Sequence, residues 1–253
     1  MFRRRAPRDA GRPTSGEWSA YLDVLRSKWD EVPAGNSRRK TTELERLDDG
    51  ELVETWRQAS HGGSESREWY RTLYEPILRG KTILDVGSGF GIDGIYFAQK
   101  GARVTFLDIV ESNLRVLRRL CNILGVRDVD FCYLSDAGSL DQLGLFDFIW
   151  CQGSMICAPF DVAKGEAKEL LKHLKADGRW IELAYPKMRW EREGRMPFEK
   201  WGKKTDGGAP WMEWYDLEKL HQRLEPARFK TVLDFEFHNS DFVWFDLARA
   251  DSD

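Results

Sequence analysis

The sequence predicts an α/β protein whose parallel sheet is covered by helices on both faces. From residue 81 onward, short β-rich apolar runs alternate with helical stretches, which is typical of such sheets. The last two apolar runs, FKTVLDFEFHN and DFVWFDLAR, are joined by so short a connection that they must be antiparallel neighbours. Residues 17–80 instead show the three- and four-residue apolar spacing of helices. We therefore expect a sheet that ends in an antiparallel hairpin, preceded by an N-terminal helical cap.

Composition restricts the classes of partner. The 253 residues are 42% hydrophobic, which is enough for a full core. Lys and Arg number 39 against 42 Asp and Glu, so the net charge of -3 favours neither DNA nor an anionic membrane as a partner. No stretch approaches the ~18 apolar residues of a membrane span, and the N-terminus has no apolar signal core. We expect a cytoplasmic protein; nothing in the sequence indicates its oligomeric state.

The N-terminal region divides into a tail and a cap. Residues 1–16 hold five arginines and two prolines without apolar periodicity, which predicts a disordered tail. Residues 17–80 contain three helical segments, the last of which ends at Gly80. This pattern predicts an all-helical extension.

The four cysteines carry no sign of a metal site or a disulfide framework. They form no C-x-x-C pair, and no histidine stands at ligand spacing. We expect four structural thiols and no bound metal.

The segment ILDVGSGFGIDGIYFA, residues 83–98, places glycines directly after a strand and before a helix. Two patterns fit it: G-x-G-x-G over 87–91 and G-x-G-x-x-G over 89–94. The second is the dinucleotide fingerprint, but it inserts two residues after the strand and leaves only 14 residues from Gly94 to Asp108. A frame that starts at Gly87 puts Ile92 where the third glycine should stand. The dinucleotide interpretation is therefore the poorer fit.

The chain at this point resembles the class I S-adenosylmethionine (SAM)-dependent methyltransferases. Their first motif is an acidic residue, a variable residue and G-x-G-x-G, which here is Asp85-Val86-Gly87-Ser88-Gly89-Phe90-Gly91. Their next signature is an acidic residue that ends the second strand, here Asp108. The resemblance covers about residues 80–249, including the terminal hairpin. It implies a Rossmann-like sheet over 81–249 and SAM as the cofactor.

The residue types at these positions suit that cofactor. Glycines allow the backbone to approach the methionine part of SAM, and the helix N-terminus beyond them presents N–H groups to its carboxylate. Asp108 is expected to accept hydrogen bonds from the ribose hydroxyls, although a helix N-cap is an alternative. Asp93, at the start of that helix, is expected to contribute little. The expected cofactor contacts are Asp85, Gly87, Ser88, Gly89, Gly91, Asp108, Ile109, Asp136, Cys151 and Gln152.

Four of these contacts have an alternative without a ligand. Ile109 would pack on adenine or simply fill the core beyond the strand. Asp136 would contact the adenine amine or cap the next short helix. Cys151 and Gln152, at the tip of the fourth strand in CQGSMIC, would line the cofactor or pack at the strand end. That tip holds no carboxylate and no Pro-Cys nucleophile, which predicts methyl transfer without a metal or a covalent intermediate.

A long insertion after the fifth strand, about residues 186–215, holds four tryptophans. Between Lys187 and Lys204 it has seven basic and three acidic residues, a local charge of 7 − 3 = +4. Such a segment would be an aromatic lid that binds an anionic acceptor, or the core of a small helical subdomain with a solvated basic face. The expected acceptor contacts are Arg189, Trp190, Arg192, Trp211 and Trp214.

Two residues are candidate catalytic bases. His238 lies in the turn after the sixth strand, and Tyr185 ends the fifth. A turn residue without chemistry is the alternative for His238.

The predicted function is metal-independent methyl transfer to an O or N atom of a small-molecule acceptor. A methyltransferase that acts on protein or RNA is an alternative, and it would show an open groove in place of a closed pocket. A catalytically inactive SAM-binding partner subunit is the other.

Overall fold

The computed structural model describes residues 15–34, 37–61, 64–205 and 208–250. The predicted tail therefore lies almost wholly outside the described residues. The helices are α1 (Ser15–Trp29), α2 (Thr41–Leu44), α3 (Asp49–His61), α4 (Ser64–Leu78), α5 (Ile92–Gln99), α6 (Glu111–Ile123), α7 (Phe160–Leu170), α8 (Lys187–Arg192), α9 (Phe198–Lys204) and α10 (Leu217–Leu224). The strands are β1 (Glu31–Ala34), β2 (Ser37–Lys40), β3 (Thr82–Val86), β4 (Arg103–Asp108), β5 (Val129–Tyr133), β6 (Phe146–Gln152), β7 (Leu174–Ala184), β8 (Phe229–Phe237) and β9 (Phe242–Arg249).

Seven strands form the central sheet in the order β5-β4-β3-β6-β7-β9-β8. Strands β3 to β7 pair in parallel, and β9 pairs antiparallel with both β7 and β8. The predicted fold is confirmed, including the terminal hairpin. Because the chain winds one way to β4 and β5 and the other way to β6 and β7, a crevice opens at the carboxyl ends of β3 and β6.

The N-terminal cap is joined to one face of the sheet through aromatic rings. Tyr70 of α4 stacks on Trp244 of β9 with ring centroids 4.7 Å apart, and Tyr74 meets Trp150 of β6 edge-on at 5.5 Å. All four rings are buried. Such pairs add stability beyond the area that they bury, so α4 is part of the main core.

The cap is not all-helical, which corrects the prediction from sequence. Strands β1 and β2 form an antiparallel hairpin between α1 and α2, with Glu31 opposite Lys40 and Ala34 opposite Ser37. Four-residue strands are too short for an alternating pattern to stand out from a loop. Tertiary packing stabilises the hairpin, since Val32 is buried in the core.

The insertion over 186–215 packs on the core. Trp201 of α9 is fully buried. Tyr185 and Trp214 form an isolated parallel β-bridge, and the Tyr215 N–H donates to the Tyr185 carbonyl. Helical spacing of aromatic residues is the same whether the rings face a ligand or a core, so sequence could not separate the two.

Two further findings concern the cysteines and the helices. All four cysteines are free and buried, as expected of structural thiols. No helix among the described residues has both the length and the apolar character that a bilayer span requires.

Asp93, at the start of α5, links the cap to the sheet. Its carboxylate accepts a hydrogen bond from the Tyr70 hydroxyl at 2.8 Å and pairs with the Arg71 guanidinium, whose Nε lies 2.9 Å away. Asp93 and Arg71 are both buried. The sequence gives no sign of this structural role, because no local pattern shows that α4 brings a cation to Asp93.

Breaking this link should destabilise the fold. Asp93→Ala leaves the Arg71 guanidinium buried and unpaired, and we expect the free energy of unfolding to fall by about 3 kcal/mol. Urea denaturation followed by tryptophan fluorescence measures it. The matched control is Asp49→Ala, which breaks the ion pair between Asp49 and Arg119. The Asp49 side chain is 65% exposed, so the free energy of unfolding should fall by less than about 1 kcal/mol. Equal losses in the two variants would contradict the assignment.

Candidate cofactor and acceptor site

A cavity of about 370 Å³ lies at the carboxyl ends of the parallel strands. Its floor is the loop after β3 with the ends of β4, β6 and β7, and its roof is α1 with the β1–β2 hairpin. The volume falls in the ~300–1,000 Å³ range of small-molecule sites. Strand order divides the cavity, because β4 and β5 lie on one side of the glycine loop and β6, β7 and β9 on the other.

The glycines of the loop have different roles. A Cβ on Gly87, which has φ +70°, would lie 2.4 Å from Cβ of Ser154, so the loops after β3 and β6 touch backbone to side chain. Gly89 borders the cavity, and the nearest atom to a Cβ there is Val32 Cγ1 at 3.9 Å. Gly91 does not line the cavity; its Cβ would lie 2.2 Å from Leu117 of α6. Gly91 thus serves packing, which corrects its expected contact with the cofactor.

A fourth glycine sets the position of α5. A Cβ on Gly94 would lie 2.3 Å from Phe106 of β4 and 2.6 Å from a carboxylate oxygen of Asp85. This close approach of helix and strand is the role that the third glycine has in a dinucleotide fingerprint. The two overlapping glycine patterns therefore reflect ligand approach at Gly89 and helix packing at Gly94.

Ser88 fixes the shape of the loop. It lines the cavity, and its hydroxyl donates to the carbonyls of Asp85 and Leu107 at 2.9 and 3.2 Å. The Ser88 hydroxyl is thus engaged within the loop, where the backbone N–H groups of Gly87 and Ser88 also donate to the Leu107 carbonyl.

Asp108 ends β4 inside the cavity. One carboxylate oxygen accepts from the Gly89 N–H at 2.9 Å and the other from the Val110 N–H at 2.8 Å. Burial raises the pKa of Asp108 to about 6, although the backbone hydrogen bonds oppose the shift. The N-cap residue of α6 is Val110, so the alternative of an N-cap at Asp108 does not hold.

Asn113 of α6 connects Asp108 to the roof. Its amide nitrogen lies 3.4 Å from both Asp108 oxygens and donates to the Trp29 carbonyl at 3.2 Å. Its amide oxygen accepts from the Thr41 hydroxyl at 2.6 Å. No sequence motif marks Asn113; its position three residues after Val110, in a first helical turn, is the one local signal of this role.

Asp85 is a buried carboxyl that faces the cavity. It is 5% exposed, and within the described chain its side chain accepts no hydrogen bond. Burial and the nearby charges of Asp93 and Asp108 hold its pKa well above the usual range. A cationic ligand group would relieve both effects.

Unpartnered polar atoms at the tip of β6 also face this cavity. The amide nitrogen and oxygen of Gln152 and the hydroxyl of Ser154 are buried without a hydrogen-bond partner in the described protein. Buried polar atoms are nearly always paired, so a ligand is expected to complete these bonds. With Asp85, Asp108 and the bare glycine backbone, they fit a molecule that carries an ammonium, a carboxylate and a ribose.

Two expected cofactor contacts lie elsewhere. Cys151 is fully buried in the core and does not line the cavity, because side chains alternate along β6 and Gln152 takes the cavity position. Asp136 is exposed and accepts from the Ser139 N–H at 3.1 Å as the N-cap of a 3₁₀ turn over 137–140. It does not line the cavity, so the structure favours the alternative of an N-cap.

Helix α1 is clamped onto the strand ends beside Asp108. The Arg26 guanidinium donates to the carbonyls of Ile109, Leu134 and Ser135 at 3.1, 3.1 and 2.7 Å. Ile109 and Leu134 line the cavity under Trp29 of α1. The roof therefore comes from the N-terminal cap, a connection that no motif of the sequence indicates.

The cavity continues to α7, β7 and the start of β9. It is lined there by Val162 and Glu166 of α7, Leu183 of β7, Tyr185 and Phe242. Tyr185 thus lies at the cavity, as expected of a candidate catalytic residue. The Arg189 guanidinium stacks over the Tyr185 ring, 4.0 Å from its centroid.

His238 does not reach the cavity. It is exposed in the turn after β8, with φ 51°, and β9 lies between β8 and the cavity-bearing strands. The sequence predicted correctly that this turn emerges at the carboxyl edge. It could not show that β8 would be the outermost strand, so the catalytic prediction for His238 is not supported and the turn alternative is favoured.

The two arginines of the insertion that the sequence places at the acceptor are paired within the protein. Arg189 pairs with Glu193 at 2.9 Å and donates to the Asp241 carbonyl at 3.2 Å. Arg192 pairs with the Asp241 carboxylate and donates to the Asn239 carbonyl at 2.6 Å. Neither arginine lines the cavity. Both hold the insertion to the terminal hairpin and are not available to an acceptor.

The tryptophans of the insertion are likewise engaged away from the cavity. Trp190 donates to the Met196 carbonyl at 2.7 Å, and Trp211 donates to Glu213 at 2.9 Å. The Trp214 ring faces the Lys219 ammonium at 4.2 Å. None of the three lines the cavity, which corrects their expected contact with the acceptor.

Comparison with known proteins agrees with this geometry. Residues 83–178 match a family model described as a methyltransferase domain. A ubiquinone biosynthesis O-methyltransferase from Idiomarina loihiensis is 33% identical over 103 residues, which are 40% of this chain and 41% of that protein. One from Pseudomonas paraeruginosa is 40% identical over 75 residues, 29% and 32% of the two chains. The chain thus spans about two fifths or less of the length of these curated relatives.

Solved structures share the fold at low identity. Magnesium protoporphyrin IX methyltransferase from Synechocystis, with bound S-adenosylhomocysteine (SAH), is 18% identical with a TM-score of 0.56, covering 83% of this chain and 92% of that one. The 1,6-didemethyltoxoflavin-N1-methyltransferase of Burkholderia thailandensis is 22% identical with a TM-score of 0.56, covering 98% and 95%.

The strand order, the antiparallel terminal hairpin and the glycine-lined cavity define a class I methyltransferase fold. Residues 83–178 form a methyltransferase domain of this fold. Solved structures that share the fold hold SAM or SAH, which suits the residues that line this cavity.

Asp108 should be important for cofactor affinity. We expect Asp108→Ala to weaken SAM binding by about 1.5–3 kcal/mol, the usual contribution of hydrogen bonds to a charged group. Calorimetry on the folded variant measures this. Asp130→Ala, an exposed carboxylate on the neighbouring strand β5, changes the charge equally and should leave affinity unaltered. Unchanged affinity in Asp108→Ala would remove this residue from the ribose site.

Asp85 should show opposite effects on stability and binding. Its raised pKa means that the folded protein holds this proton more tightly, so its stabilising contribution is present at low pH and is lost as pH rises past ~3.9 toward the folded pKa. Asp85→Asn removes that loss. We expect the melting temperature of the ligand-free protein at pH 8 to rise by about 2–4 °C, while SAM affinity falls about tenfold or more. Scanning calorimetry and titration calorimetry test the two effects; a variant that melts lower and binds normally would contradict both.

Proposed function

We propose that this protein transfers the methyl group of SAM to an oxygen or nitrogen atom of a small-molecule acceptor, without a metal ion. The observation that carries the proposal is the shape of the cavity, which continues past the glycine loop to Val162, Leu183, Tyr185 and Phe242. When bound, SAM supplies a methyl group already activated by its sulfonium. The protein must then hold an acceptor in line with that methyl group and accept its proton.

The acceptor end of the cavity, formed by Val162, Glu166, Leu183, Tyr185 and Phe242, suits a flat, largely apolar molecule. The rings of Tyr185 and Phe242 have centroids 5.7 Å apart and are inclined by 52°, and Leu183 borders the same space. The partial relatives are named for O-methylation in ubiquinone biosynthesis, which supports a small-molecule acceptor here.

The charges of the cavity argue against the anionic acceptor expected from the sequence. The charged residues that line it are five acids, Glu31, Asp85, Asp93, Asp108 and Glu166, and one base, Arg38. The basic insertion does not offset them, because Arg189 and Arg192 are paired elsewhere. We therefore propose a neutral or cationic acceptor.

The alternatives make different demands on the surface of the protein. A methyltransferase for protein or RNA needs an open groove, whereas α1 and the β1–β2 hairpin cover this cavity. An inactive partner subunit needs no acceptor end, yet Glu166 and Tyr185 stand beside an apolar pocket there. Both features favour a small-molecule enzyme.

A turnover assay tests the proposal. Purified protein is incubated with labelled SAM and a panel of aromatic acceptors that carry hydroxyl or amino groups, each with and without an added carboxylate. We expect release of SAH with neutral or cationic acceptors, and an unchanged rate after treatment with EDTA, because the Gln152-Gly153-Ser154 tip offers no carboxylate ligands. Loss of activity that magnesium restores would refute metal independence, and binding of SAM without any labelled acceptor would refute the enzyme.

A further inference from the structure

Glu166 is the one carboxyl at the acceptor end of the cavity among the described residues. It lies on α7, is half-buried and borders the same space as Val162, Tyr185 and Phe242. Within the described chain its carboxylate makes no hydrogen bond and no ion pair.

The other acids of the cavity have a visible task at the roof or at the cofactor end. Glu31 pairs with Arg38, Asp93 pairs with Arg71, and Asp108 accepts two backbone N–H groups. Asp85 also accepts no hydrogen bond, but it lies near the end of β3 beside the glycine loop, where the cofactor is expected. Glu166 is therefore the acid left to face an acceptor.

We propose that Glu166 is the general base that takes the proton from the acceptor's O–H or N–H; this proposal rests on the proposed small-molecule methyl transfer. The acceptor's lone pair forms the new bond to the methyl carbon, and the carbon–sulfur bond breaks with its electron pair remaining on sulfur. The acceptor's proton moves to a Glu166 carboxylate oxygen and then to water.

The surroundings of Glu166 suit this task. Burial raises its pKa to about 7, while Arg223 of α10 lowers it and Glu182 of β7 raises it. Cys151 of β6 is the remaining titratable neighbour, and burial holds the pKa of its thiol well above the usual range, so it stays neutral. Arg223 and Glu182 pair with each other and are fully buried, which fixes the local charge. A base with a pKa near the working pH transfers protons efficiently.

The test compares Glu166→Gln with wild type, using the acceptor that the panel assay labels best. We expect kcat to fall about 100-fold or more, while the Kd for SAM stays close to wild type and the melting temperature does not fall, because the variant removes a buried acid whose pKa is raised. The wild-type kcat should rise with pH through about 7 and then level off, and Glu166→Gln should lose that ascending limb. Glu166→Asp should recover part of the rate and keep the limb.

Two controls separate this role from others. Glu169→Gln removes a carboxylate from the same helix, where it pairs with Lys172 outside the cavity, and should match wild type. Tyr185→Phe should keep the ascending limb, whereas a limb lost there and kept in Glu166→Gln would assign the base to Tyr185. Wild-type turnover with an unaffected Glu166→Gln overturns the base and leaves the proposed function standing. Wild type that binds SAM but labels no acceptor overturns both.

Discussion

The site depends on the carboxylate of Asp108. Its two oxygens accept the N–H groups of Gly89, in the loop after β3, and of Val110, at the start of α6. Asn113 then joins the same carboxylate to the N-terminal roof. One buried group thus couples the glycine loop, the end of β4, the first turn of α6 and the cover of the cavity.

This organisation concentrates negative charge in the interior. Asp85, Asp93 and Asp108 lie close enough that the charges of the other two raise the pKa of Asp85. Arg71 offsets one of the three, and the others remain a burden on the ligand-free fold. SAM carries both an ammonium and a sulfonium, so binding supplies positive charge to a site that lacks it. Electrostatics alone therefore favours SAM over neutral SAH, which aids release of the product.

The composition of the insertion over 186–215 indicates a lid over the cavity, but the N-terminal segment forms that cover instead. The aromatic, basic insertion over 186–215 is a packed support, since its arginines pair with Glu193 and Asp241 and Trp201 is buried. The less conspicuous N-terminal segment provides the roof, where Arg26 clamps three strand-end carbonyls. Trp29 lies in the roof and Glu166 at the acceptor end. Both positions depend on how α1 and α7 pack on the sheet.

The sequence by itself determined the parallel sheet with its antiparallel hairpin, the glycine loop, Asp108 and the cofactor, because each is specified by residues adjacent along the chain and by the period of the strands. It could not distinguish Gly89, at the ligand, from Gly91, against Leu117, since that depends on the contact with α6. Only the tertiary structure decided that His238 follows the outermost strand, that Arg192 is neutralised by Asp241 and that Glu166 faces the cavity. Strand order, ion pairing and the face that a helix presents all arise from residues distant in sequence, and no local pattern of residues encodes them.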